Sequence, residues 1–281
     1  MHWRLSEASA IGVVGASQIE VVPSAPARGA HWQIKTTQAE QPTVAGEPEA
    51  GKPVAWQLAA VRPILAHSSQ PHEVYSRQSD LIVRYGQGPS EQFSYQLDWR
   101  LLQPAAPFAA AVELWLSIQT DLLDTQPELE IACTAPPGLS WSTFEHRQLI
   151  PTTASPAPGV PAPEVSAAAK AMATESSESA DSQRGPAALL CSAAAGADRA
   201  AVQGLWLIEP TDQRHARRCS ADEQAEQRVR LFGHFMEKGV IRRARMRFLL
   251  AAALDSHAMI THEQVIAAYR DFADSPLPLT A

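Results

Sequence analysis

Residues 228–251 read RVRLFGHFMEKGVIRRARMRFLLA, and this stretch decides the fold class. From residue 240 onward, apolar and cationic residues alternate. The apolar set is Ala244, Met246, Phe248 and Leu250, and the cationic set is Arg243, Arg245 and Arg247. A helix would scatter the arginines around its circumference, whereas a strand lines them up, because its side chains alternate between two faces. The pattern predicts a strand with one apolar face and a row of guanidinium groups on the other.

A turn signal stands just before this strand. Glu237, Lys238 and Gly239 can reverse the chain if Gly239 takes a positive φ, which costs glycine little. The stretch therefore predicts a β-hairpin. Because the hairpin is long and half apolar, we expect it to pair with strands from the first part of the chain.

Alternation recurs at two earlier places. Residues 91–102 put Phe93, Tyr95, Leu97 and Trp99 on one face. Residues 109–119 put Val112, Leu114, Leu116 and Ile118 on one face and Glu113 and Ser117 on the other. Strands of this kind, separated by glycine- and proline-containing loops, predict an antiparallel sheet protein. The fold class expected is mainly β, an antiparallel β-sandwich with a C-terminal amphipathic helix and disordered insertions.

The helix is expected over residues 261–273. Thr261 with Gln264 three residues later forms a capping box. Val265, Tyr269 and Phe272 then make one apolar stripe. We expect this helix to pack across a sheet or its open end.

Residues 38–53 are rich in Pro, Glu and Gly, whereas residues 151–187 are rich in Pro, Ser and Ala and contain no aromatic residue. Such sequences bury too little apolar surface to offset the entropy lost on ordering, so both are expected to be disordered insertions. We predict one sandwich domain over residues 1–281 that carries these insertions. Two smaller domains are the alternative.

Composition narrows the function classes. The chain has a net charge of −7 and a pI near 5.7, which argues against nucleic-acid binding through bulk charge. No stretch reaches the length of a membrane helix, and the three cysteines, Cys133, Cys191 and Cys219, are expected to be buried thiols in a reducing compartment. We therefore expect a cytoplasmic protein. No cofactor, metal or catalytic motif is present in the sequence, which favours a binding protein over an enzyme.

The candidate ligand-binding residues are Arg242, Arg243, Arg245 and Arg247. A guanidinium is permanently charged and presents a planar fork of donors that suits carboxylate or phosphate groups. The alternative is a sheet face whose charges pair with acids on neighbouring strands and prevent aggregation.

Three phrases carry a family resemblance: EVYSRQSDLIV at 73–83, LWLSIQTDLLDTQPEL at 114–129 and LFGHFMEKGVIRRARMR at 231–247. They resemble segments of a planctomycete-type group of bacterial proteins, a group with no established activity, so the resemblance implies no functional residue. The layout is also loosely similar to the sandwiches of mutarotase-type and glycoside-hydrolase accessory domains, and fold alone does not fix function.

The leading hypothesis is a non-catalytic β-sandwich binding module for carbohydrate or another polar or anionic ligand. One alternative is a carbohydrate-active enzyme of the mutarotase or glycosidase kind, which needs a His or carboxylate pair in a concave face. The other is a scaffold whose Pro/Ser/Ala insert recruits a protein partner.

Overall fold

A computed structural model describes residues 1–34, 54–65, 67–136, 139–145, 148–151, 188–193, 202–209, 217–219, 226–252 and 260–276. Within these ranges the elements are almost all strands, with one short 3₁₀ turn at Pro26–Arg28 and one α-helix, α1, at His262–Asp274. The strands are β1 (Trp3–Leu5), β2 (Ala10–Val14), β3 (Ser17–Val21), β4 (Ala30–Ile34), β5 (Val54–Pro63), β6 (Glu73–Arg77), β7 (Asp80–Tyr85), β8 (Ser94–Leu102), β9 (Ala110–Gln119), β10 (Glu128–Thr134), β11 (Leu139–Glu145), β12 (Gln148–Pro151), β13 (Ala188–Ala193), β14 (Val202–Ile208), β15 (Arg217–Cys219), β16 (Glu226–Phe232) and β17 (Ile241–Ala252).

The strands form two antiparallel sheets that share one apolar core, so the predicted β-sandwich is confirmed. The eight-stranded sheet runs β1-β2-β3-β4-β5-β10-β16-β15, and the nine-stranded sheet runs β12-β11-β13-β14-β17-β9-β8-β7-β6. Strands from before residue 151 and after residue 187 pair in both sheets, through β10 with β16 and β9 with β17. The expected pairing of the last strands with the first part of the chain is therefore confirmed.

The predicted hairpin is wrong. Gly239 does take a positive φ of 80°, and the chain does turn there. However, β16 pairs with β10 and β15 in one sheet, while β17 pairs with β14 and β9 in the other. The reason is that Val229 and Leu231 of β16 and Met246 and Phe248 of β17 all contribute to the core. Residues 233–240 connect the two sheets, so the two strands lie in opposite sheets and both contribute to the core between them.

Close packing at the centre of the core depends on a glycine. A β-carbon at Gly204 of β14 would lie 2.6 Å from the ring of Trp56, which comes from the opposite sheet. The Trp56 ring meets Trp141 edge-on with ring centroids 6.1 Å apart, and Trp141 meets Trp206 at 6.5 Å. Aromatic rings from both sheets therefore interlock at van der Waals distance.

Helix α1 lies on the outer face of the nine-stranded sheet. Its Val265 and Phe272 are fully buried in a second apolar cluster with Leu205, Leu207 and Leu249 of the sheet. Thr261 caps the helix, and both hydrogen bonds of the capping box with Gln264 are present. The predicted helix and its apolar stripe are confirmed.

The insertion at 38–53 lies outside the described residues, as does that at 151–187 apart from Pro151, which ends β12. Cys133 and Cys191 are free and buried as expected, while the side chain of Cys219 is outside the described set. No helix in the described ranges is long and apolar enough to cross a membrane.

Candidate functional site

The arginine row of β17 belongs to a polar strip on the outer face of the nine-stranded sheet. Strand register places Asp80, Arg100, Glu113 and Arg247 side by side on four neighbouring strands, and Asp271 of α1 extends the series. Negative and positive groups thus alternate across the sheet. The ion pair between Arg100 and Asp80 is bidentate, with N···O distances of 2.7 and 2.9 Å.

Arg247 is buried and engaged within the protein. Its Nε donates to Glu113 at 2.9 Å, its Nη1 to Asp271 at 2.7 Å and its Nη2 to the Ser275 hydroxyl at 3.0 Å. Glu113 is buried too, and it also accepts a hydrogen bond from the Trp115 indole at 2.8 Å. Each guanidinium nitrogen and each carboxylate oxygen of this buried pair therefore has a partner, as burial of charge requires.

Arg245 binds the C-terminal end of α1. The Arg245 side chain is 1% exposed, and its guanidinium donates to the carbonyl of Phe272 at 2.7 Å and to the Ser275 hydroxyl at 2.9 Å. It also pairs with Glu209 and stacks over the rings of Trp115 and Phe272, at 5.1 and 4.4 Å. A cation at the carbonyl end of a helix complements the helix dipole. Arg245 and Arg247 thus secure α1 to the sheet.

The other two predicted ligand-binding residues are placed differently. Arg243 is exposed on the outer face, and within the described ranges it makes no hydrogen bond or ion pair. Arg242 is half-buried on the inner side of the strand, beside Ile118, and its Nε finds no hydrogen-bond partner among described atoms. The four arginines therefore do not form one surface, and Arg243 is the member that faces solvent on the outer sheet.

Beside Arg243 lies a group of side chains that we call the Asp98 face. It comprises Tyr75, Gln96, Asp98, Ser117 and Arg243. Register aligns Tyr75, Ile82, Asp98 and Trp115 across β6 to β9, and the neighbouring row aligns Gln96, Ser117 and Arg243. Tyr75 is 38% exposed, and α1 ends over Arg245 and Arg247, so among the described residues the helix leaves this part of the sheet uncovered.

Asp98 is the perturbed group of this face. Burial raises its pKa to about 6, and the negative charge of Asp80 adds to the rise. A hydrogen bond from the Gln96 amide at 2.8 Å and the charges of Arg243 and Arg100 oppose it. Gln96 is the one hydrogen-bond donor that Asp98 has among the described residues. At neutral pH the carboxylate is ionised, partly desolvated and short of donors, which is typical of functional sites.

Sequence reasoning missed the Asp98 face. Gln96 and Asp98 lie on the polar side of the alternating strand at 91–102, and Tyr75 lies in the preceding strand segment, 73–85. The sequence therefore predicts a strand position for each of these residues. Their proximity to Arg243 depends on the strand order β6-β7-β8-β9-β17, which brings together residues far apart in sequence. Strand alternation gives the face of a residue but not its neighbours.

A buried histidine and glutamate bear on the enzyme alternative. The ring nitrogens of His67 lie 3.0 Å from the Ser68 carbonyl oxygen and 2.8 Å from that of Phe93, and Glu91 is 3.7 Å away. Burial disfavours the charge of Glu91, but backbone N–H groups of Gly88 and Ser68 and the nearby His67 hold its pKa below the usual value. These contacts tie two loops together. The described residues include no cluster of three or more His, Cys, Asp or Glu that could hold a metal.

Comparisons with known proteins concern the fold alone. No family model matches the chain, and no curated protein matches it. Among solved structures, the chain is similar to a putative kojibiose phosphorylase from human microbiome, at 7% identity and a TM-score of 0.47 over 94% of this chain and 33% of that one. It is also similar to a GH36 alpha-galactosidase from Geobacillus stearothermophilus in complex with raffinose, at 9% identity and a TM-score of 0.42 over 90% of this chain and 40% of that one. The chain therefore spans well under half the length of these two neighbours. The first is a phosphorylase and the second a glycoside hydrolase. Nothing in these comparisons bears on the planctomycete-type resemblance.

Proposed function

We propose that this chain is a non-catalytic binding module that takes carbohydrate on the Asp98 face. The observation that carries the proposal is Asp98 itself, a partly buried carboxylate on an open sheet face with a raised pKa and a single hydrogen-bond donor. Ionised carboxylates accept several hydrogen bonds, so Asp98 has capacity to spare. A ligand that donates hydrogen bonds would supply the donors that Asp98 lacks among the described residues.

The neighbours of Asp98 fit a hydroxyl-rich ligand. Sugar hydroxyls both donate and accept, so they can donate to Asp98 and accept from the exposed guanidinium of Arg243. The ring of Tyr75 offers an apolar surface for the C–H face of a sugar, with a polar hydroxyl at its tip. Tyr75 and Asp98 are separated by two strand spacings, roughly 10 Å, so a ligand that touches both is longer than one sugar ring.

Charge favours a neutral ligand over an anion. Two of the four arginines predicted to bind anions are already paired with Glu113, Asp271 and Glu209. On the Asp98 face, the remaining exposed guanidinium of Arg243 is offset by the carboxylate of Asp98. A phosphate or sugar acid placed on this face would meet both signs of charge, whereas a neutral oligosaccharide would bond to both.

A thermal-shift screen tests the proposal. The panel contains neutral oligosaccharides, sugar acids and nucleotides, and the variants are Asp98→Asn, Arg243→Ala and the matched control Arg4→Ala, an exposed arginine on β1 of the other sheet. We expect a neutral oligosaccharide to stabilise the native protein and Arg4→Ala but neither face variant, because only a ligand bound to the native state raises its melting temperature. A shift that survives both face variants would place the site elsewhere.

A further inference from the structure

Five exposed apolar side chains lie on two adjacent connections at one end of the sandwich, and we call this set the end patch. They come from the connection between β9 and β10 and from the connection between β16 and β17. The members are Leu122, Leu123, Phe235, Val240 and Ile241. Leu123 is 79% exposed and Phe235 50%, values far above those of apolar residues that pack within a domain. Clustered exposed apolar residues of this kind mark interaction surfaces.

The two connections are fixed side by side. The N–H of Met236 donates to the Thr125 carbonyl at 2.8 Å, that of Gly239 to Thr120 at 2.9 Å and that of Gly233 to Pro127 at 2.8 Å. The hydroxyls of Thr120 and Thr125 are held in turn by Gln92, at 2.7 and 2.9 Å. The backbone under the end patch is therefore hydrogen-bonded in place, and its side chains are displayed on a rigid base. Such preorganisation lowers the entropy lost on association.

Charges around the end patch indicate the kind of partner. Its rim carries the exposed acids Asp121, Asp124 and Glu237 together with the exposed bases Lys238 and Arg243. A rim of one sign would repel a copy of itself and attract an oppositely charged surface, such as an anionic membrane or nucleic acid. A rim with both signs can match itself about a two-fold axis, where the same patch meets its own copy.

We propose that the end patch binds a second copy of this chain in an isologous dimer. Apolar side chains of Leu123 and Phe235 would be buried at the centre of the contact, with the mixed charges at its rim. This arrangement has the apolar centre and polar rim of a stable interface. Arg243 belongs both to this rim and to the Asp98 face, whereas Leu123 and Phe235, at the centre of the contact, are not part of the Asp98 face.

Light scattering after size-exclusion chromatography tests the dimer at several micromolar concentrations. The variants are Leu123→Glu, Phe235→Glu and the matched control Leu5→Glu, which changes an exposed leucine on β1, an edge strand of the eight-stranded sheet. We expect light scattering to give the native chain and Leu5→Glu a molar mass of twice the 30.4 kDa of one chain. We expect each patch variant to weaken the dimer by roughly tenfold or more, because it buries a charge in an apolar contact. Thermal unfolding of each variant confirms that it is folded.

Two results would overturn the dimer. One is a native chain that stays monomeric at every concentration, and the other is a dimer that both patch variants leave intact. Sedimentation with phosphatidylcholine vesicles tests whether the end patch binds a lipid surface rather than a second copy of the chain. A monomeric native chain that sediments with vesicles, and loses this in Leu123→Glu, would assign the end patch to a lipid surface instead.

Discussion

At the scale of single residues, Asp98 links stability to pH. Its pKa rises from 3.8 to about 6 on folding, so the folded state holds more protons than the unfolded state between these values. The contribution of Asp98 to the free energy of unfolding is therefore fully present below its unfolded-state pKa, and it is lost as the pH rises through about 6. We expect Asp98→Asn to be more stable than the native chain at pH 8, by about 1–2 kcal/mol, and about equal to it at pH 4.

Urea unfolding of both proteins across this pH range measures the effect. The exposed Asp121→Asn serves as the matched control and should give the native pH dependence. A native-minus-variant difference that does not change between pH 4 and pH 8 would show that ionised Asp98 carries no folding cost.

Glu113 bears a structural charge rather than a functional one. It is 3% exposed and joins Arg247 to the Trp115 indole. Glu113→Ala would remove the buried carboxylate partner of Arg247 and leave its guanidinium with Asp271 and the Ser275 hydroxyl, and we expect a loss of roughly 3 kcal/mol in the free energy of unfolding. The control Glu73→Ala breaks an exposed pair with Arg84 and should cost less than about 1 kcal/mol. If Glu113→Ala and Glu73→Ala lose the same free energy of unfolding in denaturant, the buried pair of Glu113 and Arg247 does not stabilise the fold as described.

Residue roles were the hardest part to predict from sequence. Alternation placed Arg243, Arg245 and Arg247 on one face, and the structure agrees. It could not show that α1 would cover two of them, because the helix begins well after the strand and its docking site is set by apolar residues of β14 and β17. The face of a side chain is local information, whereas its burial depends on distant parts of the chain.

At the scale of elements, α1 depends on one aromatic side chain. Phe272 is fully buried, and the guanidinium carbons of Arg245 and Arg247 lie 4.4 and 5.0 Å from its ring centroid. Phe272→Ala removes this ring from beneath both cations, and we expect a cost of about 3–5 kcal/mol. Arg270→Ala, on the exposed side of the same helix, should stay within about 0.5 kcal/mol.

Chemical denaturation of these two variants gives the comparison. If Phe272→Ala unfolds at the native denaturant midpoint, the helix is not anchored through this ring. Loss of the anchor should also make the chain after residue 260 more open to proteases, which provides a second readout.

The turn at Gly239 shows why strand partners escape sequence reasoning. Both flanking segments alternate and the glycine turns the chain, so a hairpin was the simplest interpretation. The same features also suit two strands that face each other across a core, because each then buries its apolar residues against the opposite sheet. The two arrangements differ in hydrogen-bond partners. Here these include β10 and β9, whose paired residues are 92 to 140 positions away in the sequence.

At the scale of the whole molecule, the chain is predicted to act as one domain. Strands on either side of residues 151–187 pair in both sheets, and that segment has the composition of a protease-sensitive insert. We expect limited proteolysis to cut there first and to leave two fragments that stay together on size-exclusion chromatography. Fragments that separate and keep their own secondary structure would support two domains.

The fold class was readable from sequence because strand alternation and a helix cap are local signals with a direct physical cause. Function was not, since the Asp98 face is assembled from four strands and has no short motif. The central claim is that this face binds a neutral oligosaccharide through Asp98 and Arg243.

Isothermal titration calorimetry with the best oligosaccharide from the thermal-shift panel tests that claim most directly. Native protein, Asp98→Asn, Arg243→Ala and Arg4→Ala are titrated at pH 6 and pH 8. The account predicts saturable binding by the native protein and Arg4→Ala, at least roughly tenfold weaker binding by both face variants, and tighter native binding at pH 8, where Asp98 is ionised. Equal affinities for all four proteins, or no binding by the native chain, would contradict it.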